Sequence, residues 1–512
     1  MDAPAPLEDD FESKLVSCRR ALLGTGLAVA SLAFPAVGQA AFETGLNDTD
    51  LYASEDSAER ERAFDQTVDL QAGIVRLDVN WGAIASREPA NPTDPADPAY
   101  EFARYDLAVQ AAAARDLRVL FTFLNAPSFA QGSDRPDQTF DGSWKPSPAA
   151  LGDFAQALAT RYSGSFNGLP RVQFFEPWNE PNLDFFLAPQ YEQGKAFAPG
   201  HYRRMVNAVH DGVSAVASDN TVIAGSNAPY GDEPGGIRTR PLVFLRDFLC
   251  LDRKLKGVDC AESPQFDVFS HHPINLSGGP RLSAVDPDDA SSADLSNVAE
   301  VLRAAERQGT IAGARKRHPL WVTEFWWESF PDGGAAAKPG LKRHGRWIQE
   351  ALFLFWKAGA DAAINLQLVD SPFGPDTPDS FQTGLILEDG AKKPAYASFR
   401  FPFVTERRAK AKLFAWGKAP ASGKLTIERK QGGDWQKVKR LNAKDGKVFT
   451  TSLRERGKAT YRARIGEQTS LPWKQGKKVD EIEEPGKLAR SGRPLTAPAT
   501  ADPWHTESPP SP

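Results

Sequence analysis

Sulfur and histidine are scarce in this chain: three cysteines, two methionines and seven histidines among 512 residues. Only Cys250 and Cys260 lie close together in sequence, and no histidine stands at ligand spacing from either. That spacing excludes a structural zinc site there. It leaves a disulfide or two free thiols, and an oxidising compartment selects the disulfide. The histidines form no convincing ligand set beyond the adjacent His271 and His272, so neither a metal nor a cofactor is implied. After residue 40 no apolar run is long enough to span a membrane. No internal repeat is present, which excludes a solenoid. No nucleic-acid motif is present either, so no nucleic-acid partner is expected. Net charge is small, at -5. It is unevenly spread, because Lys and Arg greatly outnumber Asp and Glu over 407–478.

What is present is the composition of a soluble globular protein, with 41% hydrophobic and 25% charged residues. The length suits one large barrel and a further module. At the N-terminus, Arg19 and Arg20 precede an apolar stretch from Ala21 to Val37 that ends in Gly38-Gln39-Ala40-Ala41. This reads as a secretory signal, residues 1–40, cleaved near Ala40. The alternative is a membrane anchor, but Gly24, Gly26, Pro35 and Gly38 dilute the run. The mature chain is then secreted, with no integral membrane span.

From 42 to 405, short apolar runs alternate with amphipathic stretches. The strand candidates are Phe42–Leu46, Gly73–Val79, Arg118–Leu124, Val172–Trp178, Thr221–Ala224, Phe266–Ser270, Leu320–Thr323 and Ala363–Leu368. Helical spacing marks Tyr105–Arg115, Ala149–Tyr162, Tyr202–Ala217, Leu295–Gln308 and Leu341–Ala358. Such alternation predicts an α/β fold, a (β/α)8 TIM barrel. Residues 408–473 alternate with a period of two between turns, as in a small antiparallel β-sandwich-like module. From 474 to 512 the chain is rich in Pro, Ser, Glu and Lys and reads as a disordered tail. The basic module could hold the protein on an anionic cell-wall or polysaccharide surface; the plain alternative is a solvated spacer.

Two apolar runs end in glutamates among aromatics: Phe-Phe-Glu-Pro-Trp-Asn-Glu-Pro at 174–181 and Trp-Val-Thr-Glu-Phe-Trp-Trp at 321–327. Strand counting places Glu180 at the end of strand 4 and Glu324 at the end of strand 7, and barrel chemistry gathers at those ends. Two carboxyl groups across a glycosidic bond can cut it, one as acid and one as nucleophile or base. Asn179 is suited to a sugar hydroxyl. Trp178, Trp326 and Trp327 are candidate sugar platforms, as are Trp81 and Trp144, with core packing the alternative for each. Glu176 is a structural or pKa-tuning partner.

These motifs resemble those of clan A glycoside hydrolases, the barrel group that includes families 5 and 39, over roughly residues 42–405. The nearest look is to family 39-like bacterial proteins. The resemblance implies that Glu180 is the acid/base and Glu324 the nucleophile of a retaining enzyme acting on a β-linked oligo- or polysaccharide. By the same resemblance Arg76, in Val-Arg-Leu-Asp, orients the nucleophile, and His272 is the strand-6 histidine; a buried Arg76–Glu176 ion pair and a core histidine are the plain alternatives. The chain departs from the clan pattern twice. Ile274 stands where the clan has a tyrosine, and Asn365-Leu366-Gln367-Leu368 stands where a strand-8 tryptophan often floors the site. A non-catalytic sugar-binding barrel and a transglycosylase remain alternatives, with a metal-dependent hydrolase a weaker third.

Overall fold

The computed structural model describes residues 42–276, 278–330, 339–373, 377 and 381–476. The expected signal at 1–40 lies outside the described residues, as does the expected tail beyond residue 476.

Eight parallel strands close into a barrel in chain order. They are β1 (Glu43–Asn47), β2 (Ile74–Asn80), β3 (Arg118–Leu124), β4 (Phe174–Glu176), β5 (Thr221–Asn227), β6 (Val268–His271), β7 (Leu320–Phe325) and β8 (Ala360–Leu366). Each apolar run expected as a barrel strand is one. Closure is the pairing of β1 with β8, for example Leu46 opposite Asn365. Inside, Ile74, Leu120, Ile223, Val268, Trp321 and Ile364 form a buried apolar layer, with Phe174 packed against it. That layer fills the barrel, so polar side chains can converge only above it, at the C-terminal strand ends.

The helices begin and end where local chemistry dictates. Ser147 caps the helix Pro148–Arg161, its hydroxyl accepting from Ala150 N, with proline in the first turn. Gly309 (φ 70°) and Gly359 (φ 93°) end the helices Leu295–Gln308 and Leu341–Ala358 in the left-handed conformation that glycine adopts without cost.

The module begins earlier than expected, at Phe403, and runs to Gln475. One sheet holds β9 (Phe403–Ala409), β10 (Lys412–Lys418) and β13 (Val448–Leu453). The other holds β11 (Gly423–Gln431), β12 (Asp434–Ala443), β14 (Ala459–Ile465), β15 (Gln468–Thr469) and β16 (Trp473–Gln475). Lys474 and Gln475, expected in the tail, are thus strand residues. The module packs on the barrel through aromatics: Trp416 sits 5.6 Å from Phe353 and 5.9 Å from Trp356, both on the helix Leu341–Ala358. Arg346 of that helix covers the Trp473 ring at 3.7 Å. No helix among the described residues is long and apolar enough to cross a membrane.

Candidate active site

Arg76 organises the mouth of the barrel. It is buried on β2 and its guanidinium reaches β3, β7 and the loop after β4. Nε donates to Thr122 Oγ1 at 2.8 Å, Nη1 to Glu324 Oε2 at 2.8 Å and Nη2 to Asn179 Oδ1 at 2.6 Å. Glu176 lies 3.4 Å away and Asp78 3.3 Å. Burial alone would lower the arginine pKa, but the charges of Asp78, Glu176 and Glu324 more than reverse that. Arg76 thus pairs with Glu176 and with Glu324. Glu176 accepts from the hydroxyls of Thr122 and Ser270, each at 2.7 Å. Its contacts are all structural, and burial holds its pKa above the usual range.

Glu324 stands within β7, while Glu180 lies on the loop after β4 rather than on the strand. Strand parity does not carry from Glu176 to Glu180, because the chain turns in between. Trp178 (φ 93°) and Glu180 (φ 38°) both occupy left-handed backbone, which is costly for residues with a side chain. The surroundings hold that turn. Asn182 donates to the carbonyls of Ala228 and Thr239 and accepts from Ala228 N. Ser226 Oγ donates to Trp178 O at 2.8 Å. Gly225 (φ 125°) precedes Ser226, and a Cβ there would come within 2.1 Å of Ser270 O, so no larger residue fits.

The two glutamates have unequal environments. Glu324 receives two donors, Arg76 Nη1 and Trp326 Nε1, the latter to Oε1 at 3.1 Å. Among the described residues Glu180 has one side-chain partner, His272 Nδ1, at 3.0 Å from Oε1, and its buried Oε2 has none. Burial, then the Glu324 charge, pushes the Glu180 pKa well up. Burial also raises Glu324, but Arg76 opposes it. Burial and Arg76 push His272 well below its usual value, so the ring is neutral. The two carboxyls are unequally held: burial and the Glu324 charge both push Glu180 up, whereas at Glu324 Arg76 opposes the effect of burial.

His272, Glu180 and Glu324 each offer a donor atom, and the three atoms lie within 4.8 Å of one another. A metal could be considered there, but Arg76 already sits as the cation against Glu324. His271 cannot join the set, because it turns away and bonds Ala290 O at 2.7 Å.

The tryptophan expectations need correction. Trp178 is fully buried and donates its indole N–H to Phe186 O at 2.6 Å, so it supports the loop and does not face a ligand. Trp327 is buried, bonds Gly278 O at 2.8 Å and packs on Trp347. Trp81 stacks on Phe154 in the core. Trp144 is half-buried and donates its indole N–H to Asp134 Oδ1 at 2.9 Å. Of the tryptophans singled out, only Trp326 reaches the pair. Ile274 is buried, and the Trp326 indole donates to Glu324 Oε1. Polar Asn365 stands near the end of β8 and Gln367 just beyond it, donating to Ser371 Oγ and accepting from Thr383 Oγ1.

Sequence reasoning missed Thr122, Ser270 and Asp78. Each is a polar residue within an apolar barrel strand, which is a usable signal: a buried hydroxyl or carboxylate needs a partner. The Cys250–Cys260 disulfide is present, with Cα atoms 5.9 Å apart.

No protein-family model and no curated protein sequence matches the chain. Solved structures do. A family 39 glycoside hydrolase from the gut symbiont Bacteroides cellulosilyticus is 16% identical, with 81% of each chain covered and a TM-score of 0.52. A GH39 enzyme from Xanthomonas axonopodis pv. citri is 14% identical, covering 81% of this chain and 91% of its own, with a TM-score of 0.48. A GH5_18 protein from Streptomyces cattleya, solved with GlcNAc, is 15% identical over 71% of this chain and 79% of its own, with a TM-score of 0.46. At these identities the likeness is one of fold, a (β/α)8 barrel followed by β structure.

Proposed function

We propose that this chain is a retaining glycoside hydrolase that cuts a β-linked glycoside by double displacement. The observation that carries the reading is the unequal glutamate pair. Both carboxyls are buried; one is doubly donated and paired with Arg76, and the other faces His272, with burial and the Glu324 charge pushing its pKa well up. One oxygen of each carboxyl lies within 4.8 Å of the other. Retaining sites separate the carboxyl groups by ~5–5.5 Å, whereas inverting sites need ~6.5–9.5 Å to admit a water.

In the first step Glu324 attacks the anomeric carbon while Glu180 gives its proton to the leaving oxygen. The glycosyl group is then esterified to Glu324. In the second step Glu180, now ionised, takes a proton from water, the water oxygen attacks the anomeric carbon, and the Glu324 ester bond breaks. Two inversions leave the configuration retained. Arg76 keeps Glu324 charged and aimed. Asn179 Oδ1 is taken by Arg76, while its Nδ2 makes no hydrogen bond among the described residues and can donate to a sugar hydroxyl near the reacting carbon.

A panel of aryl β-glycosides tests this reading, with the first product followed by proton NMR. The β-anomer should appear first and mutarotate later. Early α-anomer would overturn retention, and sugar binding without turnover across the panel would favour the binding-protein alternative.

Trp326 provides a second check. A hydrogen bond to a charged group contributes ~1.5–3 kcal/mol. Trp326→Phe should therefore lower kcat about tenfold or more, with KM little changed, because the lost bond serves Glu324. The lost hydrogen bond holds the Glu324 pKa down, so the acid limb of the pH profile should move to higher pH. An acid limb that stays in place would show that the Trp326 bond does not serve Glu324.

We further place the working compartment outside the cytoplasm. Residues 1–40 read as a secretory signal, and the Cys250–Cys260 disulfide suits an oxidising environment. The substrate class is an oligo- or polysaccharide, and the basic module suits attachment to an anionic polymer.

A further inference from the structure

The C-terminal module carries a charge arrangement that turnover does not need. On β11, Leu425 and Ile427 are buried in the core of the module, so Thr426, Glu428 and Lys430 point the other way. Directly opposed residues of antiparallel strands share a face. The register places Arg440 and Arg464 opposite Thr426, Lys437 and Arg462 opposite Glu428, and Trp435 opposite Lys430. Lys474 lies opposite Thr460, which has the same parity as Arg462 and Arg464. One face of this sheet thus presents Lys430, Lys437, Arg440, Arg462, Arg464 and Lys474. Among the described residues of that face, Glu428 is the one carboxylate.

Plain alternation would put Lys437 and Arg440 on opposite faces. The register shift between Ile427 and Glu428 leaves Val438 unpaired, and that bulge turns both cations outward. Glu428 organises the row more than it neutralises it. It accepts from Arg462 Nε at 2.8 Å and from Arg464 Nε at 2.9 Å. The Arg462 guanidinium lies over the Trp435 ring at 4.3 Å. Both guanidinium groups are held in place with N–H groups left over. Lys437, Arg440 and Lys474 are exposed and make no ion pair among the described residues.

We propose that this face binds a carboxylated polysaccharide and holds the barrel beside it. The choice of a polysaccharide rests on the glycosidase reading; the choice of an anionic one rests on the face. A row of preset donors across several strands matches a polymer with regularly placed carboxylates. A neutral glycan would leave those charges unused. A lipid surface would call for apolar side chains to insert, and the one aromatic of the face is already covered by Arg462.

The experiment is affinity electrophoresis of the full chain through polygalacturonate, with hydroxyethyl cellulose as the neutral polymer and duplex DNA as competitor. The wild-type chain should be retarded by polygalacturonate only, and less so as salt is raised. The variant Lys437→Gln/Arg440→Gln/Lys474→Gln should bind polygalacturonate about tenfold more weakly. A matched variant, Lys412→Gln/Arg454→Gln/Arg456→Gln, changes cations that line a separate cleft with Ser452 and Leu453, and it should bind like wild type. Equal loss in both variants would reduce the effect to net charge and overturn the proposal. No retardation of wild type, or tighter binding to DNA than to polygalacturonate, would also overturn it. Both variants should turn over a soluble aryl glycoside like wild type. Retardation without any aryl-glycoside turnover in wild type would strike the barrel reading and leave the face standing.

Discussion

Glu324→Ala should lower turnover of an activated aryl β-glycoside by roughly 10⁵-fold, about 7 kcal/mol of lost transition-state stabilisation. No other group can take its place. Glu176 is tied to Thr122 and Ser270, Asp78 pairs with Arg76 and Asn47, and Glu180 serves as the acid in the proposed mechanism. The variant should still fold, because Arg76 keeps Glu176 and Asp78 as counter-charges. Added azide should restore part of the rate by entering the space left by the carboxylate. Attack from that side inverts the anomeric carbon, so the rescued product should be the α-glycosyl azide. A variant that keeps its activity, or a β-azide from it, would remove Glu324 from the role of nucleophile.

Glu180→Gln should cost about 10²–10⁴ in rate, the usual contribution of a positioned acid or base. The loss should depend on the substrate. A good leaving group needs little protonation, so the first step survives and the glycosyl-enzyme accumulates. A poor leaving group stalls the first step itself. Azide, attacking the glycosyl-enzyme where water would, should give the β-glycosyl azide. The opposite outcomes of the two azide experiments assign the two glutamates separately.

The pH profile gives the same assignment by another route. Glu180 is active when protonated, and burial with the Glu324 charge raises its pKa, so activity is lost as pH rises through that value. Glu324 is active when ionised, so activity is lost as pH falls through its own pKa, which Arg76 keeps below that of Glu180. The result is a bell, and the two limbs belong to the coupled pair. Glu180→Gln should erase the alkaline limb while leaving the acid one. An alkaline limb that persists would have to come from another group.

Much of this site could be read without coordinates, and the parts that could not share a cause. The eight barrel strands are visible as apolar runs because a parallel strand buried on both faces must be apolar throughout. Arg76, Thr122, Glu176 and Ser270 break those runs, and a polar residue in such a place signals a paired interior group. The tryptophans are different. Trp178, Trp326 and Trp327 are equally placed next to motif glutamates, yet their indoles point to Phe186 O, Glu324 Oε1 and Gly278 O. That outcome depends on backbone dihedrals after the strand ends, where no periodicity constrains the chain. The bulge at Val438 is a similar case, since one extra residue reverses which face a lysine takes.

The sequence by itself determined the periodicity, the alternation into βα units, the glutamate pair and the basic stretch, because each is a property of neighbours along the chain. Tertiary structure alone decided that Arg76, Glu180, His272 and Glu324 meet, that Glu180 faces His272 while Arg76 and the Trp326 indole N–H hold Glu324, and that burial acts on both carboxyls. Those are consequences of barrel closure. Closure brings strands far apart in sequence to within hydrogen-bond distance and removes the water that would otherwise hold both carboxyls at the same pKa.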